Sequence, residues 1–216
     1  MNVAILLSGG VGKRTGFKIP KQYLDLCGKP VIEYVIEALL KAKTIDEIVV
    51  VMDSDYLDYI KEKDNPKLHF VPNGPERLNS VKNGLDYIHE HLDAENLIIV
   101  QAVSPFITPK IIDDYINALS EYDVVTTAAK CPGELYEIDN YHVIDRNKYY
   151  FLHSPEAFKF KELYKYIDLQ GSSELIYHYP YAPKIYFYTD FKYNVKITFE
   201  SDLKYCEFLM NEINKK

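Results

Sequence analysis

The sequence lacks the features that would assign it to several specialised classes of protein. It contains no tryptophan and, in 216 residues, only three cysteines, Cys27, Cys131 and Cys206. Their odd number and wide spacing match neither a disulfide framework nor a zinc motif, so we predict buried free thiols. The six histidines show no metal-ligand spacing, since His89 and His91 would point to different faces of a predicted helix.

Long apolar runs and an excess of positive charge are also missing. No run approaches the roughly 20 residues of a membrane-spanning helix, and the apolar start is only five residues long, which argues against a signal peptide. A formal net charge of −7 argues against a general nucleic-acid surface. We therefore expect a cytoplasmic protein that binds neither nucleic acid nor membrane. The length and the 47% hydrophobic content allow one globular domain with a sizeable core.

Short apolar runs alternate with amphipathic segments over the first 130 residues. The apolar runs predict buried strands at 3–7, 47–53, 68–71, 97–100 and 124–129. The amphipathic segments predict helices at 30–43, 55–63 and 81–91, and from Pro109 with Thr108 as N-cap. This alternation predicts an α/β fold with a mostly parallel sheet flanked by helices. The loops after three of these strands, including 73–80 and 101–105, should converge at one edge of the sheet.

The segment from about 130 to 150 has a different character. It is polar, contains Pro132 and Gly133, and predicts an extended hairpin that leaves the main sheet as an arm. Further strands are predicted at 185–188 and 195–198, followed by a closing helix at 200–214. Since no repeat or linker interrupts the chain, we predict a single domain over residues 1–216.

A glycine-rich loop follows the first predicted strand. It combines small residues with cations, namely Ser8, Gly9, Gly10, Gly12, Arg14 and Lys21. Glycines let backbone N–H groups approach an anion closely, and the two cations can neutralise phosphate oxygens. The spacing fits neither a P-loop nor a dinucleotide fingerprint. A solvated basic turn would have a similar sequence, but the strand before the loop and the cations within it favour a nucleoside triphosphate site.

Three segments in and after this loop form a longer signature. The segments read SGGVGKRTG, PKQYLDL and GKPV. They resemble the N-terminal signature of the methylerythritol phosphate cytidylyltransferase family, which includes the ribitol phosphate cytidylyltransferases of teichoic acid synthesis. Thr15 stands where the family usually has Met, and the resemblance continues to about Leu209. It implies a Rossmann-like nucleotidyltransferase domain whose protruding β-arm forms a homodimer, with CTP and a phosphorylated polyol or sugar as substrates.

A second segment, from Asn73 to Leu85, resembles the family motif G-G-x-x-R-x-x-S-V-x-x-G-L. In the family the glycine loop and the serine hold the cytosine base and its ribose. The resemblance therefore implies that Gly74, Arg77 and Ser80 bind CTP. On the residues alone, Ser80 fits equally well as a helix N-cap and Arg77 as an arginine that braces a loop.

The segment after the fourth predicted strand departs from the family pattern. It aligns with H-D-[AS]-[AV]-R-P-F, so that Gln101 replaces the aspartate that meets the magnesium ion and Ser104 replaces the arginine. The resemblance implies that Gln101 and Ala102 contact CTP and that Mg²⁺ is a cofactor. A neutral amide is a poorer magnesium ligand than a carboxylate. We therefore assign no metal ligand and expect triphosphate oxygens and water to hold any Mg²⁺.

The acceptor side carries two basic residues that align with the family. Arg146 aligns with an arginine that reaches the acceptor phosphate from the arm of the neighbouring subunit. Lys196, in the segment NVKIT, aligns with a family lysine. A lysine in a predicted strand needs an anionic partner if it is buried, and a phosphate would supply one.

The rest of the acceptor side differs from the methylerythritol enzymes. Gly133 and Glu134 replace an Asp-Thr pair, Ser154-Pro155-Glu156 replaces T-P-Q, and 169–173 replaces another acceptor motif. Glu134 would repel a nearby phosphate. We therefore expect the acceptor to be bound differently here.

Together these patterns predict a cytidylyltransferase in which the acceptor phosphate attacks the α-phosphorus of CTP. Such a step needs charge stabilisation and positioning rather than a protein nucleophile, and we assign those roles to Arg14, Lys21 and Lys196. The predicted product is a CDP-polyol or CDP-sugar for capsule or teichoic acid synthesis. Two alternatives remain. The acceptor is methylerythritol phosphate of isoprenoid synthesis, or the protein is a non-catalytic nucleotide-binding homologue, which the loss of the family aspartate at position 101 would fit.

Overall fold

A computed structural model of the protein describes residues 1–10 and 19–215. The strands in chain order are β1 (Asn2–Leu7), β2 (Asp25–Leu26), β3 (Lys29–Pro30), β4 (Glu47–Met52), β5 (Leu68–Pro72), β6 (Asn96–Gln101), β7 (Val124–Lys130), β8 (Leu135–Glu137), β9 (His142–Ile144), β10 (Tyr150–Lys159) and β11 (Ile185–Tyr188). The helices are α1 (Val31–Lys41), α2 (Arg77–His91), α3 (Pro109–Ala118), α4 (Phe160–Tyr166) and α5 (Glu200–Asn214).

A seven-stranded sheet forms the centre of the described part, in the order β11-β7-β10-β6-β1-β4-β5. Neighbouring strands run parallel except for β10, which pairs antiparallel with both β6 and β7. The predicted α/β fold with a mostly parallel sheet is therefore confirmed. In this part of the chain no helix is long and apolar enough to cross a membrane.

Helices cover both faces of the sheet because successive strand residues point to opposite sides. Ala4 and Leu6 of β1 belong to the core that contains α1 and α3, whereas Val3 and Ile5 pack in the core that contains α2 and α4. Helix α5 closes a third, smaller core that includes Ile197. Such two-sided burial explains why the strands read as continuous apolar runs.

The ends of the central strands are tied together at one edge of the sheet. The N–H of Ser8 donates to the Val51 carbonyl at 2.8 Å, and the N–H of Ala102 donates to the Leu7 carbonyl at 3.0 Å. The N–H of Asn73 donates to the Met52 carbonyl at 3.2 Å. The glycine-rich loop and the loops at 73–80 and 101–105 therefore begin side by side, as the sequence predicts.

The predicted arm is also present. Strands β8 and β9 form an antiparallel hairpin apart from the main sheet, and a 3₁₀ turn at Arg146–Lys148 leads from it into β10. Its apolar side chains are largely exposed, namely Tyr136, Ile138, Tyr141 and Val143.

Several local predictions are wrong. The helix expected at 55–63 is a 3₁₀ turn at Ser54–Tyr59 that buries none of its own residues, so little packing holds a longer helix. The strand expected at 195–198 is an extended segment tied to the fold by the bond from the Ile197 N–H to the Val103 carbonyl. Strand β10 and helix α4 were not predicted.

The prediction of buried thiols holds for Cys131 and Cys206 but not for Cys27. Cys27 and Gly28 form the tight connection between β2 and β3, with φ angles of 52° and 95°. A two-residue hairpin turn with positive φ at both positions lies outside the core, so the Cys27 side chain is exposed.

Candidate active site

A cavity of about 230 Å³ opens beside the carboxyl end of β6. Its walls come from α2, β6, β7, β10 and three loops, namely those that contain Ser104, Glu174 and Lys196. The residues that line it are Arg77, Gln101, Ser104, Thr126, Leu152, His153, Ser154, Glu156, Glu174, Asn194 and Lys196. Among these described lining residues only Leu152 is apolar, so the cavity suits a polar ligand.

An ion pair forms one wall of the cavity. The Nη2 atom of Arg77 lies 3.2 Å from Oε2 of Glu156, whose side chain is almost fully buried. Burial raises the pKa of the Glu156 carboxyl, and the charge of Arg77 opposes that rise without cancelling it. Arg77 also donates to the Ser173 carbonyl. The arginine thus braces α2, β10 and the loop that precedes Glu174, one of the two roles that its sequence position suggested.

Lys196 reaches the cavity from an extended segment that is fixed on both sides. The Ile197 N–H donates to the Val103 carbonyl at 2.9 Å, and the Asn194 side chain donates to the Ser154 carbonyl at 2.9 Å. Lys196 itself lines the cavity and is exposed rather than buried in a strand. It therefore brings a positive charge to the lining of the cavity.

Hydrogen bonds to buried side chains hold the described ends of the glycine-rich loop in place. Ser8 is buried, and its hydroxyl lies 3.1 Å from the hydroxyl of Tyr23. Gln22 donates its side-chain amide to the carbonyls of Ser8, at 2.5 Å, and Gly10, at 3.1 Å. Lys21 starts the 3₁₀ turn that contains Gln22 and Tyr23.

Gly9 allows this loop to approach the neighbouring one closely. A Cβ atom on Gly9 would lie 2.4 Å from Cβ of Asn73, far inside van der Waals contact. Two members of the predicted triphosphate site, Gly12 and Arg14, lie outside the described residues.

Gly74 and Ser80 are joined directly. The N–H of Gly74 donates to the Ser80 hydroxyl at 3.1 Å, and that hydroxyl donates to the Glu76 carbonyl at 3.1 Å. Helix α2 begins at Arg77 with Glu76 as its N-cap, so the interpretation of Ser80 as an N-cap is wrong. Ser80 instead lies in the first turn of α2, and its bond to Gly74 fixes the loop that precedes the helix. This loop also lies close to the helix, since a Cβ atom on Gly74 would be 2.4 Å from Cβ of Asn79.

Comparison with known proteins gives matches that cover both the central sheet and the segments of the candidate site. The family model described as 2-C-methyl-D-erythritol 4-phosphate cytidylyltransferase matches residues 2–212. The chain belongs to this family. Its class is therefore that of the cytidylyltransferases, enzymes that transfer a nucleotidyl group from CTP.

Relatives that are named for two different acceptor substrates are similar to this chain to almost the same extent. The 2-C-methyl-D-erythritol 4-phosphate cytidylyltransferase of Thermotoga neapolitana is 30% identical, and the match covers 98% of each chain. The ribitol-5-phosphate cytidylyltransferase of Vibrio parahaemolyticus is 31% identical over 92% of this chain and 91% of its own. The 4-diphosphocytidyl-2C-methyl-D-erythritol synthase structure from Anaerococcus prevotii superposes with a TM-score of 0.81 at 24% identity, covering 97% of this chain and 96% of its own, which supports the fold.

Where the structure describes it, the candidate site offers no set of ligands that fits a metal held by the protein. Gln101 lines the cavity, and Ala102 is buried behind it with its N–H bonded to Leu7. The described residues contain no group of three histidine, cysteine or acidic side chains that could hold a metal ion. Of the two acidic residues in the cavity, Glu156 is already paired with Arg77. No reaction step is therefore assigned to a protein-bound metal.

Arg146 lies away from the cavity of its own chain. It begins the short 3₁₀ turn after the arm, is exposed, and donates from Nη1 to the Pro132 carbonyl at 3.1 Å. It is not among the lining residues, so any contact with the acceptor in this family member would require a second copy.

Eight of the eleven described lining residues were not among the predicted site residues. Five of them, namely Ser104, His153, Ser154, Glu156 and Asn194, lie in segments that the family resemblance aligned, and the other three do not. Thr126 was taken only as part of a core strand, although two adjacent threonines within the run VVTTAA are a usable signal. Leu152 and Glu174 lie in segments without a recognised motif, and their positions depend on how β10 and the following loop fold back over the sheet.

Proposed function

We propose that the protein transfers the cytidylyl group of CTP to the phosphate of a hydroxyl-rich polyol or sugar phosphate, releasing diphosphate. The observation that carries this proposal is the polar cavity at the carboxyl end of β6, which is lined by Lys196. We further infer that the reaction takes place in the cytoplasm and supplies activated units for a capsule or teichoic acid type of polymer.

The composition of the cavity wall supports a hydroxyl-rich acceptor. Glu174 and the outer oxygen of Glu156 can accept hydrogen bonds from hydroxyl groups, and Thr126 and Asn194 offer both donors and acceptors. A methyl branch gains about 0.8 kcal/mol from burial against apolar atoms, and of the described lining residues only Leu152 supplies such atoms. The wall thus favours a linear polyol such as ribitol phosphate over methylerythritol phosphate.

The chemistry proposed for this site is a direct in-line displacement. An oxygen of the acceptor phosphate forms the new bond to the α-phosphorus of CTP, and the bond to the β-phosphate oxygen breaks, so diphosphate leaves. Lys21, Lys196 and Arg14 would neutralise charge on the transferring and leaving groups, while Gly9, Gly10 and Gly12 would offer backbone N–H groups. Gly74 and Ser80 would hold the cytosine. Mg²⁺ would enter bound to the triphosphate of CTP and would supply neutralisation of its charge.

We also infer a homodimer in which the arm of one copy completes the site of the other. Exposed apolar residues of the arm and of the first half of β10 support this arrangement, namely Tyr136, Ile138, Tyr141, Val143, Tyr149, Tyr150 and Phe151. An exposed surface with this many large apolar side chains marks a site of interaction with another protein. In the dimer, Arg146 would contact the acceptor phosphate of the neighbouring copy.

Diphosphate release from CTP and Mg²⁺ tests the proposal. Ribitol 5-phosphate, methylerythritol 4-phosphate, glycerol 3-phosphate and several sugar phosphates serve as acceptors in parallel. We expect release with a linear polyol phosphate and about fourfold lower kcat/KM with methylerythritol phosphate. The reverse preference would establish the isoprenoid activity instead, which the names of several relatives favour. CTP binding without release on any acceptor would favour a non-catalytic homologue, consistent with Gln101.

A further inference from the structure

The side chain of Gln22 occupies an unusual position beneath the glycine-rich loop. Its exposed fraction is 2%, yet it carries a polar amide group. That amide donates to two carbonyl oxygens of the same loop, those of Ser8 and Gly10. A buried amide side chain is stable only when its hydrogen bonds are made, so the arrangement ties the side chain to the shape of the loop.

The direction of the Ser8 carbonyl determines which backbone group the loop presents to a ligand. A trans peptide is planar, and its C=O and N–H point in opposite directions. Because the Ser8 carbonyl points inward to Gln22, the N–H of Gly9 in the same peptide points away from Gln22. If the carbonyls turned outward, their negative ends would face a bound polyphosphate and repel it.

The same contacts fix the position of Lys21. Lys21 precedes Gln22 in the short 3₁₀ turn, and Tyr23 follows Gln22. The ring of Tyr23 stacks on that of Tyr56, with the ring centroids 4.5 Å apart. The Tyr23 hydroxyl also meets the Ser8 hydroxyl. Gln22 and Tyr23 therefore join the end of β1 to the turn that carries the cation.

We propose that Gln22 is a positioning residue for the triphosphate of CTP. It holds two loop carbonyls away from the ligand, directs the Gly9 N–H toward the phosphates and keeps Lys21 beside the loop. The inference rests on the proposed function for the identity of the nucleotide, and it assigns Gln22 no contact with the base or the acceptor.

Calorimetric titration of CTP and CMP at fixed Mg²⁺, without an acceptor, tests this role. The Q22M variant keeps the volume of the side chain but removes both donors. We expect its Kd for CTP to rise about tenfold and its Kd for CMP to change less than about threefold, because CMP lacks the outer phosphates. In Q22E the carboxylate has no hydrogen to donate to the two carbonyls and adds negative charge, so CTP binding should weaken further.

A matched control separates positioning from general destabilisation. Ile88→Val removes one methyl group from the buried face of α2, and its ratio of CMP to CTP Kd should equal that of the wild type. If Q22M lowers both affinities equally, or neither, the proposal is overturned. If Q22M does not fold, Tyr23→Phe removes a hydroxyl from the same network, and an unchanged ratio there overturns it. Because the experiment measures only nucleotide binding, its result tests the role of Gln22 even if the protein turns over no acceptor.

Discussion

Arg77 and Glu156 form an ion pair across the cavity wall, with Nη2 3.2 Å from Oε2, although 79 positions separate them in the chain. The carboxylate is nearly buried, whereas the guanidinium side chain retains 31% of its exposure. The pair therefore links the start of α2 to β10, two elements that belong to different sides of the candidate site.

Removing only the arginine should destabilise the fold more than removing both charges. Arg77→Ala leaves the Glu156 carboxylate buried without a partner, and we expect a loss of about 2–3 kcal/mol in the free energy of unfolding. In the R77A/E156Q double variant no unpaired charge remains, so the loss should be about 1 kcal/mol smaller. Urea denaturation at neutral pH measures both. A double variant that loses the sum of the two single effects would show that the charges are not coupled.

The raised pKa of the Glu156 carboxyl should appear as a pH dependence of stability. Its ordinary value is 4.5, and burial raises it in the folded protein. Folding therefore binds a proton in this range, and the cost of the ionised, buried carboxylate develops as the pH rises through the folded pKa. Relative to E156Q, the wild type should lose free energy of unfolding as the pH rises from below 4.5 through the raised pKa of the folded state. If the free energy of unfolding of the wild type relative to E156Q stays constant or increases as the pH rises, the raised pKa of Glu156 is contradicted.

Loss of Lys21, in the turn after the glycine-rich loop, or of Lys196, in the cavity lining, should abolish turnover without unfolding the protein. We expect Lys21→Ala and Lys196→Ala each to lower kcat/KM at least about 100-fold, because each removes positive charge from the reacting phosphates. Melting temperatures should stay close to that of the wild type. Lys204→Ala is the control, since Lys204 forms an exposed pair with Glu200 on α5. Retained turnover in both lysine variants would exclude the proposed mechanism.

Restoring a carboxylate at position 101 should lower the Mg²⁺ requirement of the reaction. Gln101→Asp places a charged oxygen, the preferred ligand of this hard cation, beside the cavity. We expect half-maximal diphosphate release at a lower Mg²⁺ concentration than in the wild type. Gln101→Asn, which stays neutral, should show no such shift. An unchanged Mg²⁺ dependence in the aspartate variant would mean that the side chain at 101 lies outside reach of the ion.

The parallel strands were predictable because burial on both faces leaves an unbroken apolar run, as in IVVV of β4. Strand β10 was not, since its sequence carries Pro155 and several polar residues, and proline is normally excluded from central strands. It is accommodated here where the pairing with β7 shifts register between His153 and Glu156. Irregular pairing of this kind has no periodic signal.

The residues proposed to bind the nucleotide could be selected from the sequence because they cluster within short motifs. Gly74 and Ser80 are six positions apart and bond to one another directly. By contrast, the partner of Glu156 and the fixed position of Lys196 depend on contacts between distant segments. A local pattern cannot specify such contacts, which explains why 195–198 was taken for a strand and why Glu174 was missed.

The two sides of the site also occupy separate lengths of chain. The glycine-rich loop, the Gly74–Ser80 connection and Gln101 all precede α3, whereas Thr126, β10 and Lys196 follow it. Apart from Arg77, Gln101 and Ser104, the residues that line the cavity lie in one continuous part of the chain, from Thr126 to Lys196. In an enzyme that works as proposed, exchange of this second half of the gene would change the choice of acceptor, while the first half would preserve recognition of the nucleotide.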